Sequence, residues 1–141
     1  MNKIILMGIF ALFMSAACNA QSTDEKAIKE TIIGFSKAGD KNDADKLATY
    51  LDDNYRILMN RLFGSSEVSV MTKDIYLEKI RTKEYGGDNR KVEIESILLN
   101  GSNASAKVSF VGSKITFVSI LILIKDGNNE WKLVSDVPVV R

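Results

Sequence analysis

A chain without a histidine must do any acid–base work with carboxylates and phenols, and this chain of 141 residues has none. Ser-His and Cys-His nucleophile pairs, imidazole bases and histidine-bound metals are thereby excluded. A carboxylate serves as a base near neutral pH when burial raises its pKa, and a tyrosine can donate to a developing oxyanion. The acid nearest a strand interior is Asp136, in "EWKLVSDVPVV", which makes it the best candidate base. Tyr55 is the candidate donor, because it opens a strand with Arg56 and alternation sends one of the two inward. Each has a plainer alternative: a solvated aspartate at a strand end, and a tyrosine bonded to backbone at a helix–sheet seam.

Binding candidates are spread more widely. Ser119 and Ser135 interrupt apolar faces in two adjacent strands, and either look into one cavity and supply small polar contacts there or, equally often, only make room for packing. Trp131, just after the "DGNNE" turn, offers a stacking surface for a planar ligand, or else fills a core or a dimer interface. Arg61 and Phe63 lie in a glycine- and serine-rich stretch that either forms a lip over the cone or, as is commoner for exposed loop residues, is simply solvated. The acids of "DKNDAD", Asp40 to Asp45, do not make a calcium loop. Ala44 replaces a ligand, Asp45 stands where glycine must turn, and Leu51 occupies the place of the bidentate acid. They fit the cap of a helix instead, and no metal or other cofactor is called for.

The elements that must position these residues fall into a helical half and a strand half. A first helix is expected over 22–38, with Ile28, Ile32 and Phe35 on one face. A second starts near Asp43 and turns Leu47, Tyr50 and Leu51 inward. Residues 55–60 form a first strand and 61–71 an irregular stretch. Thr72 then caps a third helix carrying Tyr76, Leu77 and Ile80, which ends before Gly86-Gly87. From Lys91 on, the runs 92–99, 104–111, 115–124 and 130–137 read as antiparallel strands separated by "NGSN", "GS" and "DGNN". Asn100 and Asn103 also match the glycosylation pattern, but hairpin chemistry accounts for both. The run 115–124 is apolar on both faces, as expected of a strand covered by helices on one side and by a second subunit on the other.

The N-terminus is organised as an export leader over residues 1–20. Lys3 precedes the apolar Ile4 to Met14, and small residues follow. The apolar segment extends about 16 Å as a helix, short of a ~30 Å hydrocarbon core. Cleavage after Ala20 discards the only cysteine, Cys18; a lipoprotein cut would instead make Cys18 the membrane anchor. The capping-box sequence Ser22 to Glu25 starts a helix at once and leaves little tether, which favours removal of Cys18. Losing Lys3 with the leader leaves 18 basic against 18 acidic residues, so no basic field attracts nucleic acid or a membrane surface.

The stretch "AIKETIIGFSKAGDKNDADKLATYLDDNYRI", the patterning of Asn103 to Val108 and the closing Trp131-Lys132-Leu133-Val134 resemble the nuclear transport factor 2-like superfamily. Within it they are most similar to the secreted bacterial branch labelled putative lumazine-binding. The resemblance spans the domain of residues 21–141. It implies an α+β, cystatin-like cone in which three N-terminal helices pack in a strongly curved mixed or antiparallel sheet. Superfamily dehydratases generally rely on a pocket histidine, which this chain lacks, and the scaffold hosts enzymes and binding modules alike. The expectation is therefore an exported, non-catalytic homodimer that holds a small apolar or aromatic molecule in the cone, serves as a protein–protein interaction module, or both. The alternative is an isomerase or hydrolase using Asp136 and Tyr55. A cavity above ~300 Å³ with a carboxylate and a tyrosine in hydrogen-bond reach would favour the enzyme, a large cavity with no ionisable group would favour the binder, and a cone filled by its own side chains would exclude both.

Overall fold

The computed structural model describes residues 2–141, with the side chains of residues 20, 21 and 23–141. Cys18 and the leader around it, the subject of the lipid-anchor alternative, lie outside the described side chains. Helices α1 (Asn2–Asp40) and α2 (Ala44–Ala48) lead into strands β1 (Leu51–Asn60) and β2 (Val68–Thr72), and α3 (Lys73–Arg81) follows. Strands β3 (Lys91–Asn100), β4 (Asn103–Val111), β5 (Thr116–Lys125) and β6 (Trp131–Val140) complete one six-stranded sheet of order β2-β1-β6-β5-β4-β3. Only β1 and β6 run parallel, so the sheet is mixed.

Helix α1 buries Ile28, Ile32, Phe35 and Ala38, a stripe at helical spacing that lies against the sheet. It runs unbroken through Ser22, so the capping-box sequence does not open it. Asp24 forms tertiary bonds instead. Its Oδ1 accepts from the Trp131 indole at 3.1 Å and from Lys125 Nζ at 2.8 Å, fastening the helix to the start of β6. Asp43 caps α2 through the Lys46 amide, as its position predicts. Gly86, at φ +83, packs against the Gly39 carbonyl where any Cβ would collide, and so fixes the loop after α3 to the end of α1.

The stretch 61–71 differs from expectation, since it holds a short 3-10 turn, Leu62–Gly64, and then the edge strand β2. Its glycine and serine content hid a strand that buries only Met71. On β5 the inner face, Leu121 and Leu123, is fully buried, whereas Ile120 and Ile122 are more than a third exposed on the outer face. The helices therefore cover one side of that strand, and within one chain the other stays open.

Trp131 is 4% exposed, and its carbonyl also accepts from Thr31 Oγ1 at 3.3 Å. Trp131→Ala should thus destabilise the fold by roughly 3–5 kcal/mol in denaturant unfolding, the cost of removing a packed core aromatic.

Candidate functional site

A cavity of about 580 Å³ opens between the helices and the concave face of the sheet. Its floor is set by a register irregularity in β6. Leu123 of β5 pairs with Leu133 and the next residue, Ile122, pairs with Ser135, so Val134 is an extra residue in the ladder. Trp131 and Leu133 face inward before this bulge, and Asp136 and Pro138 line the cavity after it. Simple alternation from Trp131 would have turned Ser135 in and Asp136 out.

The bulge corrects one expectation directly. Ser135 lies on the outer face, opposite Ile122 and beside Arg56, and does not share the cavity with Ser119. Ser119 lines the cavity, one register step from Asp136, because Ser119 pairs with Pro138 and Leu121 with Asp136. Trp131 does not line it either; its indole is committed to Asp24 and it belongs to the core. Tyr55 faces inward, yet it stands behind the wall, its ring against Phe35 and Tyr76 at 6.4 and 5.9 Å, and those two rings line the space.

Asp136 is 8% exposed and no basic group pairs with it among the described residues. Loss of water pushes its carboxyl from the usual aspartate value of 3.8 up to about 6, with Ser119 and Arg90 opposing the rise. Ser119 lies close enough to favour the charged form, although its hydroxyl completes no hydrogen bond of standard geometry. Asp136 Oδ1, Ser119 Oγ and Tyr55 Oη are all buried without a partner. Burial, and next the nearby Asp136 charge, raise the Tyr55 hydroxyl well above its ordinary value. Tyr76 is raised as well, again mainly by burial. The plainer reading of Asp136 as a solvated strand-end acid is therefore wrong, but no hydrogen bond joins it to Tyr55.

Arg90 forms the wall nearest α1. Its Nε donates to Asp40 Oδ1 at 2.6 Å, its backbone amide to Oδ2 at 2.9 Å and a terminal nitrogen to the Ser36 carbonyl at 3.2 Å. The guanidinium lies over the Phe110 ring, 5.2 Å from its centre. Neither Arg90 nor Tyr76 stood out in the sequence as a site residue. Tyr76 reads as one more core position of α3, and Arg90 sits between a glycine turn and a strand, where an exposed arginine is the ordinary case.

Residues 61–64 make a tight turn beside the cavity mouth. Phe63 is 70% exposed at φ 53, between Arg61 at φ 54 and Gly64 at φ 83, and its ring meets Phe117 edge-on at 6.4 Å. Two non-glycine residues in the left-handed region cost of order 1 kcal/mol each. Phe63 lines the cavity mouth; Arg61 does not.

Three helices packed in a bent mixed sheet around such a cavity define the nuclear transport factor 2-like class of α+β proteins. Residues 23–137 match the family described as Putative lumazine-binding, and the chain belongs to that family. An NTF-2-like protein of unknown function from Silicibacter pomeroyi DSS-3 is similar at TM-score 0.75 and 16% identity, covering 86% of this chain and 98% of that one. One from Shewanella baltica OS155 gives 0.73 and 18%, covering 85% and 95%. A ketosteroid isomerase-like protein from Erwinia carotovora atroseptica SCRI1043 gives 0.65 and 14%, covering 82% and 94%. At these identities the likeness is one of fold. No curated protein matches the chain.

The raised carboxyl has a consequence for stability. Folded Asp136 keeps its proton to about pH 6, whereas the unfolded chain releases it near the usual 3.8, so folding takes up a proton between those values. This group's contribution is therefore most favourable below pH ~4 and declines as pH rises through ~6. Asp136→Asn should be more stable than the parent by on the order of 2 kcal/mol at pH 8, with the gap closing by pH 4, as read from unfolding curves across pH.

Proposed function

We propose that the cone binds a small, mostly apolar molecule whose polar end reaches Asp136 and Ser119, and that the protein does so after export as a non-catalytic binder. The observation that carries this reading is an open cavity of about 580 Å³ ending in buried polar atoms without partners. Such atoms cost about 1–3 kcal/mol each if left unmatched, so a ligand or ordered water must complete them. The walls supply apolar area from Ile57, Met59, Met71 and Phe117, with Phe63 standing free at the mouth.

Acid–base catalysis is the second reading, supported by a carboxyl pushed up to about 6 and by the fold shared with the ketosteroid isomerase-like protein. The absence of a hydrogen bond between Asp136 and any tyrosine among the described residues favours binding. Export rests on the order of Lys3, the apolar Ile4 to Met14 and the small residues after it. An intact mass beginning at Gln21 would support it, and an acyl adduct on Cys18 would replace it with a lipid anchor.

Pairing of two copies through the outer sheet face is supported by Ile120 and Ile122, with Val139 at 50% exposure beside them. Light scattering at micromolar concentration should give twice the chain mass, and a monomer would refute it.

Native mass spectrometry of protein from its own host should show a small-molecule adduct. Phe63→Ala should lower the occupied fraction while leaving stability within about 0.5 kcal/mol, since the ring is exposed. A cone that co-purifies empty and excludes small aromatic probes would refute the binding reading.

A further inference from the structure

The charges around the cavity do not balance, and the imbalance is greatest at the floor. Asp40 is neutralised by Arg90 at 2.6 Å, and Glu84 by Lys79 at 2.6 Å. Asp88 at the rim accepts from the Asn89 and Ser113 amides and has no ion pair among the described residues. Asp136 has neither an ion pair nor a partner for Oδ1. The cations that line the space are Arg90, already held by Asp40 and the Ser36 carbonyl, and Lys114, exposed at the rim. Subtracting the internal pairs leaves two carboxylates against one lysine, with the buried carboxylate farthest from water.

The walls add a second, independent feature. Phe35, Tyr76, Phe110, Tyr85, Phe117 and Phe63 all contribute rings to the lining. Ring faces carry negative quadrupole potential and attract cations. The protein already uses them in this way, with Arg90 over Phe110 and Lys79 over Tyr85, each 5.2 Å from the ring centre.

We propose that the cone recognises an organic ammonium with an aromatic or aliphatic body, its charged end seated against Asp136 beside the Tyr76 ring, which packs on Phe35. This rests on the reading of the cone as a small-molecule site and names the class of molecule it takes. A neutral ligand would seal a desolvated carboxylate without a countercharge, and an anion would face it directly. An ammonium supplies the missing donor to Oδ1 and the missing charge together. The outward-facing apolar body then lies along Ile57, Met59 and Phe117 toward the Phe63 lip.

Ionisation of Asp136 then controls affinity. The groups facing it are Ser119 from β5, Arg90 ahead of β3, Tyr55 from β1 and Tyr76 from α3. Both phenols are shifted upward, so they stay neutral wherever Asp136 titrates. Only the deprotonated carboxyl accepts the cation, so binding strengthens as pH rises through about 6 and releases a proton below that value.

The test uses the full mature chain and three probes of matched size: 2-phenylethylammonium, 2-phenylethanol and 3-phenylpropionate, titrated by calorimetry and by amide chemical shifts. At pH ~7.5 the ammonium should bind at least about tenfold more tightly than the alcohol, and the carboxylate most weakly. Ammonium affinity should fall about tenfold by pH ~5 while alcohol affinity holds. Asp136→Asn should erase the ammonium's advantage over the alcohol. An alcohol that binds as tightly as the ammonium in the parent protein, with no pH dependence, overturns the cation proposal and leaves the small-molecule site standing. If none of the three shifts the cavity residues, both readings fall.

Discussion

Val134 gives β6 one residue more than β5 opposes, and this single insertion in the ladder decides which side chains face the cone. Before it, Trp131 and Leu133 point inward and complete a closed apolar layer. After it, Asp136 and Pro138 point inward, and Ser135 is carried to the outer face. Without the bulge a serine would occupy the floor, Asp136 would sit in the outer apolar face, and the cavity would hold no buried charge on this strand. The chemistry of the site follows from backbone register, and the side chains are otherwise ordinary.

Helix α1 supplies the other constraint, since the cone exists only if the helix is held across the sheet. Carboxylates at the two ends of the segment that packs on the sheet do this: Asp24 bonds Trp131 and Lys125, and Asp40 bonds Arg90. Between them Ile28, Ile32 and Phe35 pack on the sheet, so the Asp24 end is filled by side chains while the Asp40 end opens into the cavity. The Asp40–Arg90 pair also keeps the guanidinium from neutralising Asp136. With two of its nitrogens and its backbone amide already spent on α1, Arg90 acts on Asp136 only at a distance. One ion pair thus fixes the helix and leaves the floor charge uncompensated.

These two constraints explain how much could be read from the residues. Period-two alternation and turn chemistry located β3 to β6, and helical spacing located the buried stripe of α1, because those signals are local. β2 escaped because an edge strand that buries one residue of five carries no alternation to detect. Asp136, Ser119 and Phe63 were identifiable from position and type. Ser135 was misplaced because a bulge reverses strand parity, and nothing in "WKLVSDVP" marks Val134 as the extra residue; Trp131, ahead of the bulge, takes the core alternative. Arg90 and Asp40 were invisible as a pair because they are fifty residues apart in sequence and meet only through the Gly39–Gly86 contact and the loop it fixes.

A packing role does not account for Asp136. An apolar residue at that position would fill the floor and spare the fold on the order of 2 kcal/mol at neutral pH, the cost of holding a carboxylate charged in that environment. A carboxylate kept for structure would be expected to have its partners built in, as Asp24, Asp40 and Asp88 do. Asp136 differs from all three in that its Oδ1 is buried without a partner, although the Ser119 hydroxyl lies close to it. A general base and a cation seat both require a carboxylate in this state. They differ in what must stand opposite it: a base requires a positioned donor to stabilise the product of proton transfer, whereas a cation seat requires aromatic faces and no competing cation. The cavity provides the Tyr76 ring, packed on Phe35, beside an unpaired carboxylate, and the guanidinium that lies over Phe110 is held by Asp40.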